Sequence, residues 1–422
     1  MPQSNTWGIY LSWGVALPIT KGFLVGVNCM KRIVLFSLAC ILFAALAWSR
    51  GIDRIERAVT DETSERQALH DANKIAAGDH KLGIVQYTHF PNGPSYILLL
   101  PIKMGIKDPR ELRVVPVAFS VACLTLLILG LLLHLSNPVV AIVAVSIVTS
   151  LLWQPGVLNW MGALHEHAYV LALCFAGLGV ALIPGVPRWA LFGLAFLTGW
   201  MGYDLILGFI FSVLVGRWLV IIRSEDKSRK VAVRFFIDAA TTVAGVAAAI
   251  ASHIAQNAFY FGGIKEAIKD LIGSAAVRAG LEVGRDLTPG YFNNIRYAMQ
   301  GKTYPRWNLI VDLIKAFLNP EWSRVDLMSY GLQASVGILV VAVVWKLFRK
   351  ALSLKDLRIF GGAVVVVTII SVVSGTLWII VMPDHARFHF HFLPRHFFVP
   401  ITLFTLGLCS IADSVFRAKA QR

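Results

Sequence analysis

Long apolar runs separated by short polar connections dominate the chain. Val114–Leu133 and Phe360–Val381 carry no charged residue, and each is long enough to cross a ~30 Å hydrocarbon layer at ~1.5 Å per residue. The pattern predicts ten membrane-spanning helices, at 33–48, 114–134, 138–153, 167–183, 188–201, 203–222, 235–258, 327–347, 359–381 and 397–416. The span at 188–201 is the shortest. These segments define an amino-terminal module over 33–258 and a carboxy-terminal module over 327–422, preceded by residues 1–32. Two connections are long, 49–113 and 259–326, and a shorter one at 382–396 is dense in histidine and arginine. Met30-Lys31-Arg32 ahead of an apolar run looks like a natural start, which would make 1–29 the product of an upstream start codon. The stretch 7–29, broken by Pro18 and Lys21, is not counted as a span. Ala45-Leu46-Ala47 resembles a signal-peptidase site, but keeping the first span holds both termini on one side.

The first long connection has its own periodicity. From Asp61 to Ala77 the residues Ala68, Leu69, Ala72, Ile75 and Ala76 form one apolar face, and Gly78 is a helix stop. The segment Pro94–Met104 is too short to span and suits a helix lying in the interface, anchored by Tyr96 and Lys103. The expected fold class is therefore all-α and polytopic, with amphipathic interface helices in the first outer loop.

Composition agrees with this reading. Hydrophobic residues make up 57% and charged residues 15% of the 422 residues, against about 45–50% and about 25% in soluble domains. The net charge of +15 suggests a nucleic-acid partner until the charges are located. Alternating the spans assigns 18 of the 39 cations and five of the 24 anions to the cytoplasmic side, leaving the other side nearly neutral. The excess is topological, so no nucleic acid is expected and membrane lipids are the implied neighbours. The five cysteines lie in or beside apolar spans, without a CxxC pair, and read as small packing residues.

Candidate chemistry gathers on the outer side. Asp61-Glu62 open the loop helix, where carboxylates also suit the helix dipole. Arg66 and His70 follow Glu62 at four-residue intervals, giving one face an acid, a cation and an imidazole, or equally a solvated ion-pair face. The segment Tyr87–Tyr96, with His89 and the run Pro91-Asn92-Gly93-Pro94, comes next, then Gly105 and Arg113 ahead of the second span. Near the carboxy terminus stands Pro394-Arg395-His396-Phe397-Phe398-Val399-Pro400.

Over 50–120 and 394–400 these elements resemble the GT-C glycosyltransferases that use polyprenyl-phosphate sugars, such as protein O-mannosyltransferases and aminoarabinose transferases. The match is weaker over the middle spans. His396 stands where tyrosine is commoner, and Gly93 where some relatives carry lysine. The resemblance implies a GT-C-like bundle and an inverting transferase, for hexosyl or pentosyl transfer, at the outer face of a bacterial cytoplasmic membrane. The donor would be a polyprenyl-phosphate sugar and the acceptor a hydroxyl of a lipid, glycan or protein. Asp61 would be the catalytic base, with Glu62 orienting it or the acceptor. One carboxylate suffices because a phosphate leaving group needs no proton, unlike the alkoxide of a glycosidase. Arg395 is the candidate for the departing phosphate, since a guanidinium fork matches phosphate oxygens; its alternative is a snorkelling anchor. Arg66 and His89 are further donor-binding candidates.

His165-Glu166-His167 open the fourth span, and one of His165 or Glu166 is expected to face a substrate. Residues two apart on a helix point about 200° apart, so the pair of imidazoles is not expected to share a metal. The alternating Phe388–Phe392 segment, with His385, His389, His391 and His396, reads as an interfacial aromatic belt. No metal and no cofactor beyond the lipid-linked co-substrate is implied. Asp204 is placed at an outer turn, and Asp238 is expected to pair with Arg234 one helical turn away. In the second long connection Tyr291, Tyr297, Tyr304, Trp307 and Trp322 suit a sugar or a membrane surface equally. The alternative class, a secondary transporter or lipid flippase, would place ionisable residues at mid-membrane and show repeated halves, and the chain has no repeat.

Overall fold

Apolar periodicity becomes helix throughout. The computed structural model describes residues 23–53, 55, 62–78, 93–153, 157, 160–203, 205–223, 229–279, 326–349, 352–382 and 393–417, and all regular structure among them is helical. The helices are α1 (Phe23–Ile52), α2 (Glu62–Ala76), α3 (Gly93–Lys103), α4 (Pro109–Leu112), α5 (Val114–His134) and α6 (Pro138–Ser150), which ends in a 3₁₀ turn at Leu151–Trp153. There follow α7 (Glu166–Leu182), α8 (Arg188–Met201), α9 (Ile206–Arg223), α10 (Arg229–Phe261), α11 (Ile264–Arg278), α12 (Asp326–Phe348), α13 (Leu354–Val381) and α14 (Leu393–Arg417).

The protein is an all-α, multi-pass membrane bundle. Among the described residues six helical segments are long and apolar enough to cross a bilayer, in α1, α4–α5, α9, α10, α13 and α14. The other four expected spans are helices where the pattern put them, but α6, α7 and the apolar part of α12 are shorter, and α8 has 14 residues. For α7 the reason is burial: from Ala168 to Leu182 it is enclosed by protein, so hydrocarbon thickness does not set its length. α1 also differs, starting at Phe23 within a stretch not counted as spanning, because the interruptions at Pro18 and Lys21 lie upstream of it.

α7 and α14 form the centre. α7 packs on α5, α8 and α9, and α14 on α6, α9, α12 and α13, while α10 packs on α8. Lipid-facing surfaces carry exposed Leu35, Ile41, Val340 and Ile369. Cys123, Cys174 and Cys409 are buried and free, as packing residues should be. The α5–α7 crossing is built on two glycines: a Cβ on Gly130 would stand 2.1 Å from the Gly179 carbonyl oxygen, and one on Gly179 2.6 Å from Leu127 Cα. Because the obstacles are backbone, Gly179→Ala is expected to destabilise by about 1–3 kcal/mol. Gly193→Ala on α8, with nothing near its Cβ, should be neutral or slightly stabilising. Thermal unfolding of the two variants side by side checks both.

Two ends can be distinguished. At one, called the loop end, α2 and α3 cover the bundle. At the opposite end buried ion pairs lock the helices. Arg217 Nη2 lies 2.7 Å from Asp238 Oδ2, Arg188 Nε lies 3.4 Å from Oδ1, and Arg217 also donates to the carbonyls of Ala181 and Ile183. Asp238 is thus held by α8 and α9, not by Arg234 on its own helix as expected. Arg234 is exposed while Asp238 points inward, where only a neighbouring helix can reach it. Asp413 at the end of α14 accepts from the backbone N–H groups of Ser136 (3.1 Å) and Asn137 (2.6 Å) and pairs with Arg223 at 3.1 Å.

Candidate functional site

The loop helix forms for local reasons and docks for one long-range reason. Ala68 and Ala72 of α2 are buried, with Leu69 and Ala76 packed alongside, as the periodicity predicts. Ala72, with Leu69 and Ala76 against it, joins Leu98 and Ile102 of α3, Leu112 and Leu164 in a small core of their own. Gly78 follows the end of α2 at φ +87°, and Gly105 follows α3 at φ +93°. Both conformations favour glycine.

The docking contact is Glu65. It occupies the same helical stripe as Ala68 and Ala72, one turn earlier, and is itself buried. Arg113, directly ahead of α5, meets it with two parallel bonds: Nη1 donates to Oε1 at 2.8 Å and Nη2 to Oε2 at 2.7 Å. Arg113 Nη1 also donates to the Gly162 carbonyl at 3.0 Å, and Glu65 Oε1 accepts the Leu164 N–H at 3.1 Å. A buried ion is tolerated when it is paired and further hydrogen-bonded, as here. These four bonds fasten α2, the start of α5 and the segment leading into α7 at one point. Arg113 stands out in the sequence and Glu65 does not; the one local signal for Glu65 is that it prolongs an apolar stripe.

The next residue along is His165. It caps α7 with Nδ1 accepting the His167 N–H at 3.4 Å, and its ring is buried. The expectation that His165 and His167 point apart is overturned. His165 lies outside the helix in extended backbone (φ −99°, ψ 179°), so the rings meet edge to face, with centroids 4.5 Å apart. Trp160 packs edge-on to both at 5.4 Å. Among the described residues no group of three or more His, Cys, Asp or Glu is arranged to hold a metal.

α3 lies against the other side of the loop end. Tyr96 stacks on Trp200 with centroids 5.5 Å apart, so it binds the bundle rather than standing free as an anchor. Burial pushes the Tyr96 hydroxyl pKa up, against a hydrogen bond with Gln256 that lowers it. A Cβ on Gly93 would stand 2.4 Å from the Trp200 carbonyl oxygen, so the lysine of some resembled proteins has no room here. Below this lies a chain that the sequence reading missed. Asn257 Nδ2 donates to His253 Nε2 at 3.2 Å, and His253 Nδ1 meets the Tyr203 hydroxyl at 2.7 Å. The spacing of His253 and Asn257, four apart on one face of an apolar helix, was the available signal.

The other candidates are distributed as follows. Arg66 lies on the exposed face of α2, with exposed His70 one turn on. Glu62 is the first residue of α2, and Glu166 the first of α7. Arg395 is in the first turn of α14, and a Cβ on Gly208 of α9 would lie 3.6 Å from both Cys174 of α7 and Val399 of α14. The three helices therefore meet about halfway along α7, and the first turn of α14 lies on the loop-end side of that meeting, because α14 reaches the opposite end at Asp413. The side chains of Glu62, Glu166, Arg395 and His396 are outside the described residues, as are Asp61, His89, Asp204, the histidines of 385–391 and the aromatic residues of 291–322. Compared against family models, curated proteins and solved structures, the chain matches none of them.

Proposed function

We propose that the protein is an inverting GT-C-type glycosyltransferase that moves a sugar from a polyprenyl phosphate to a hydroxyl of a lipid, glycan or protein acceptor. The site faces the outer side of a bacterial cytoplasmic membrane. The observation that supports the reading is the Glu65–Arg113 pair, which fastens α2, whose first residue is Glu62, to the segment leading into His165, on the side of the bundle from which α14 starts. Asp61 takes the proton of the acceptor hydroxyl as its oxygen attacks the anomeric carbon. The bond from that carbon to the phosphate oxygen breaks, and polyprenyl phosphate leaves as an anion beside Arg395. Glu62 orients the acceptor, while Arg66, His89, His165 and Glu166 are the remaining candidates for holding substrate. Metal is not part of this scheme. A secondary transporter would favour ionisable pairs at mid-depth. The described buried ion pairs, Glu65–Arg113, Arg217–Asp238 and Arg223–Asp413, lie toward helix ends instead.

The deciding experiment offers purified protein a panel of polyprenyl-phosphate sugars and scores free polyprenyl phosphate. Sugar-dependent release with at least one donor is expected, and no release across the panel rejects the reading. Arg395→Ala is expected to raise the KM for donor about tenfold, as loss of one charge-assisted phosphate contact should. Unaltered donor kinetics would remove Arg395 from the phosphate site.

A further inference from the structure

We infer that Arg50, backed by Trp153, forms a subsite for the phosphate of a membrane lipid at the loop end. Arg50 stands in the last turn of α1, where the first span leaves the apolar layer. Its guanidinium carbon lies over the Trp153 ring, 5.4 Å from the centroid, and its Nε is buried without a hydrogen-bond partner. Among the described residues no carboxylate pairs with it; Asp53, one turn on, is exposed. This separates Arg50 from Arg113, Arg217 and Arg223, each of which meets a carboxylate within 3.1 Å.

A guanidinium carries five donors and no acceptor, and a donor withdrawn from water without a partner costs free energy until an acceptor arrives. Arg50 as a whole is half-buried with its Nε enclosed, and an anionic acceptor is favoured because no described carboxylate faces the charge; a planar fork suits phosphate. It must also be borne by lipid. Trp153, the platform, is 43% exposed at the end of an apolar helix, which is where an indole meets headgroups. The position of Arg50 is set by its neighbour: a Cβ on Gly51 would lie 2.6 Å from Val117 Cγ1 and 3.7 Å from Met161 Cε. α1 is therefore pressed onto α5 and Met161 at Gly51, the residue that follows Arg50. The phosphate belongs either to the polyprenyl donor, which rests on the function proposed above, or to an ordinary anionic phospholipid.

The test uses the full chain in phosphatidylcholine nanodiscs and a fluorescent polyprenyl monophosphate as probe. Wild type should bind it, and Arg50→Gln should weaken binding about tenfold or more. Arg50→Lys should retain part of the affinity and Trp153→Leu should lose a smaller share, all at wild-type thermal midpoints. Displacement by phosphatidylglycerol assigns the subsite to ordinary headgroups, and its failure to displace assigns it to the polyprenyl lipid; both uphold the subsite. No binding by wild type, unchanged affinity in Arg50→Gln, or displacement by inorganic phosphate alone overturns it. Arg50-dependent binding without any sugar transfer would reject the enzymatic reading and leave the subsite standing.

Discussion

Asp61→Asn is expected to lower release of polyprenyl phosphate by about 10²- to 10⁴-fold while leaving the protein folded and donor binding intact. Asparagine keeps the shape of the side chain but cannot take the acceptor proton, so the loss should fall on the chemical step and not on KM. Asp61 immediately precedes Glu62, the first residue of a helix held from one turn further on by Glu65. A base must hold one position relative to the bound sugar, and the helix that follows Asp61 in the sequence is fastened. Glu62→Gln, by contrast, should reduce the rate less, as an orienting group does. Single-turnover assays with a donor identified from the panel measure both variants. Turnover of Asp61→Asn at the wild-type rate would exclude it as the base.

The largest stability effect is expected at Glu65. Glu65→Ala strips a buried guanidinium of its partner and leaves the Leu164 N–H without its acceptor, a loss of about 3–5 kcal/mol. Arg113→Ala removes the cation and frees the Glu65 carboxylate in the same small space, at a similar cost. The double variant should be destabilised by less than the sum of the two, because either substitution alone already loses the pair. Denaturant unfolding gives the coupling energy. Cysteine placed at Ala72, which is buried in the α2–α3 core, reports docking directly. It should resist a polar maleimide in the wild-type background and react when Glu65 is alanine. Equal protection in both backgrounds would show that the apolar face alone holds α2. Transfer activity should fall together with docking, since the same helix carries Glu62 and follows Asp61.

Much of this architecture is legible in local pattern, and the exceptions share a cause. The apolar face of α2, its stop at Gly78 and the short α3 follow from spacing within a dozen residues. His165 and His167 are not opposed as helical spacing predicts, because the helix begins at Glu166 and does not run through both. That one-residue shift turns two opposed rings into a contacting pair. Asp238 departs from its expected partner Arg234 for a different reason. An i,i+4 partner was available, but Asp238 faces inward, and inward neighbours come from α8 and α9. Glu65 does not stand out because a carboxylate on an apolar stripe acquires meaning only when a cation 48 residues away is brought to it.

The chain by itself determined the class of the protein and the places of most of its helices; α11, inside the second long connection, is an exception. Water is absent from the hydrocarbon layer, so an apolar run must satisfy its own backbone and becomes a helix whatever surrounds it. The same exclusion sorted exposed leucine and valine outward and told the two long connections apart from the short ones. Only the tertiary structure decided which polar side chains meet: Glu65 with Arg113, Asp238 with Arg217, His253 with Tyr203, and Arg50 with an indole in place of a carboxylate. Those choices depend on the height and rotation of each helix against its neighbours. These are set by close backbone contacts such as Gly130 on Gly179, between residues too far apart in sequence for any local period to encode.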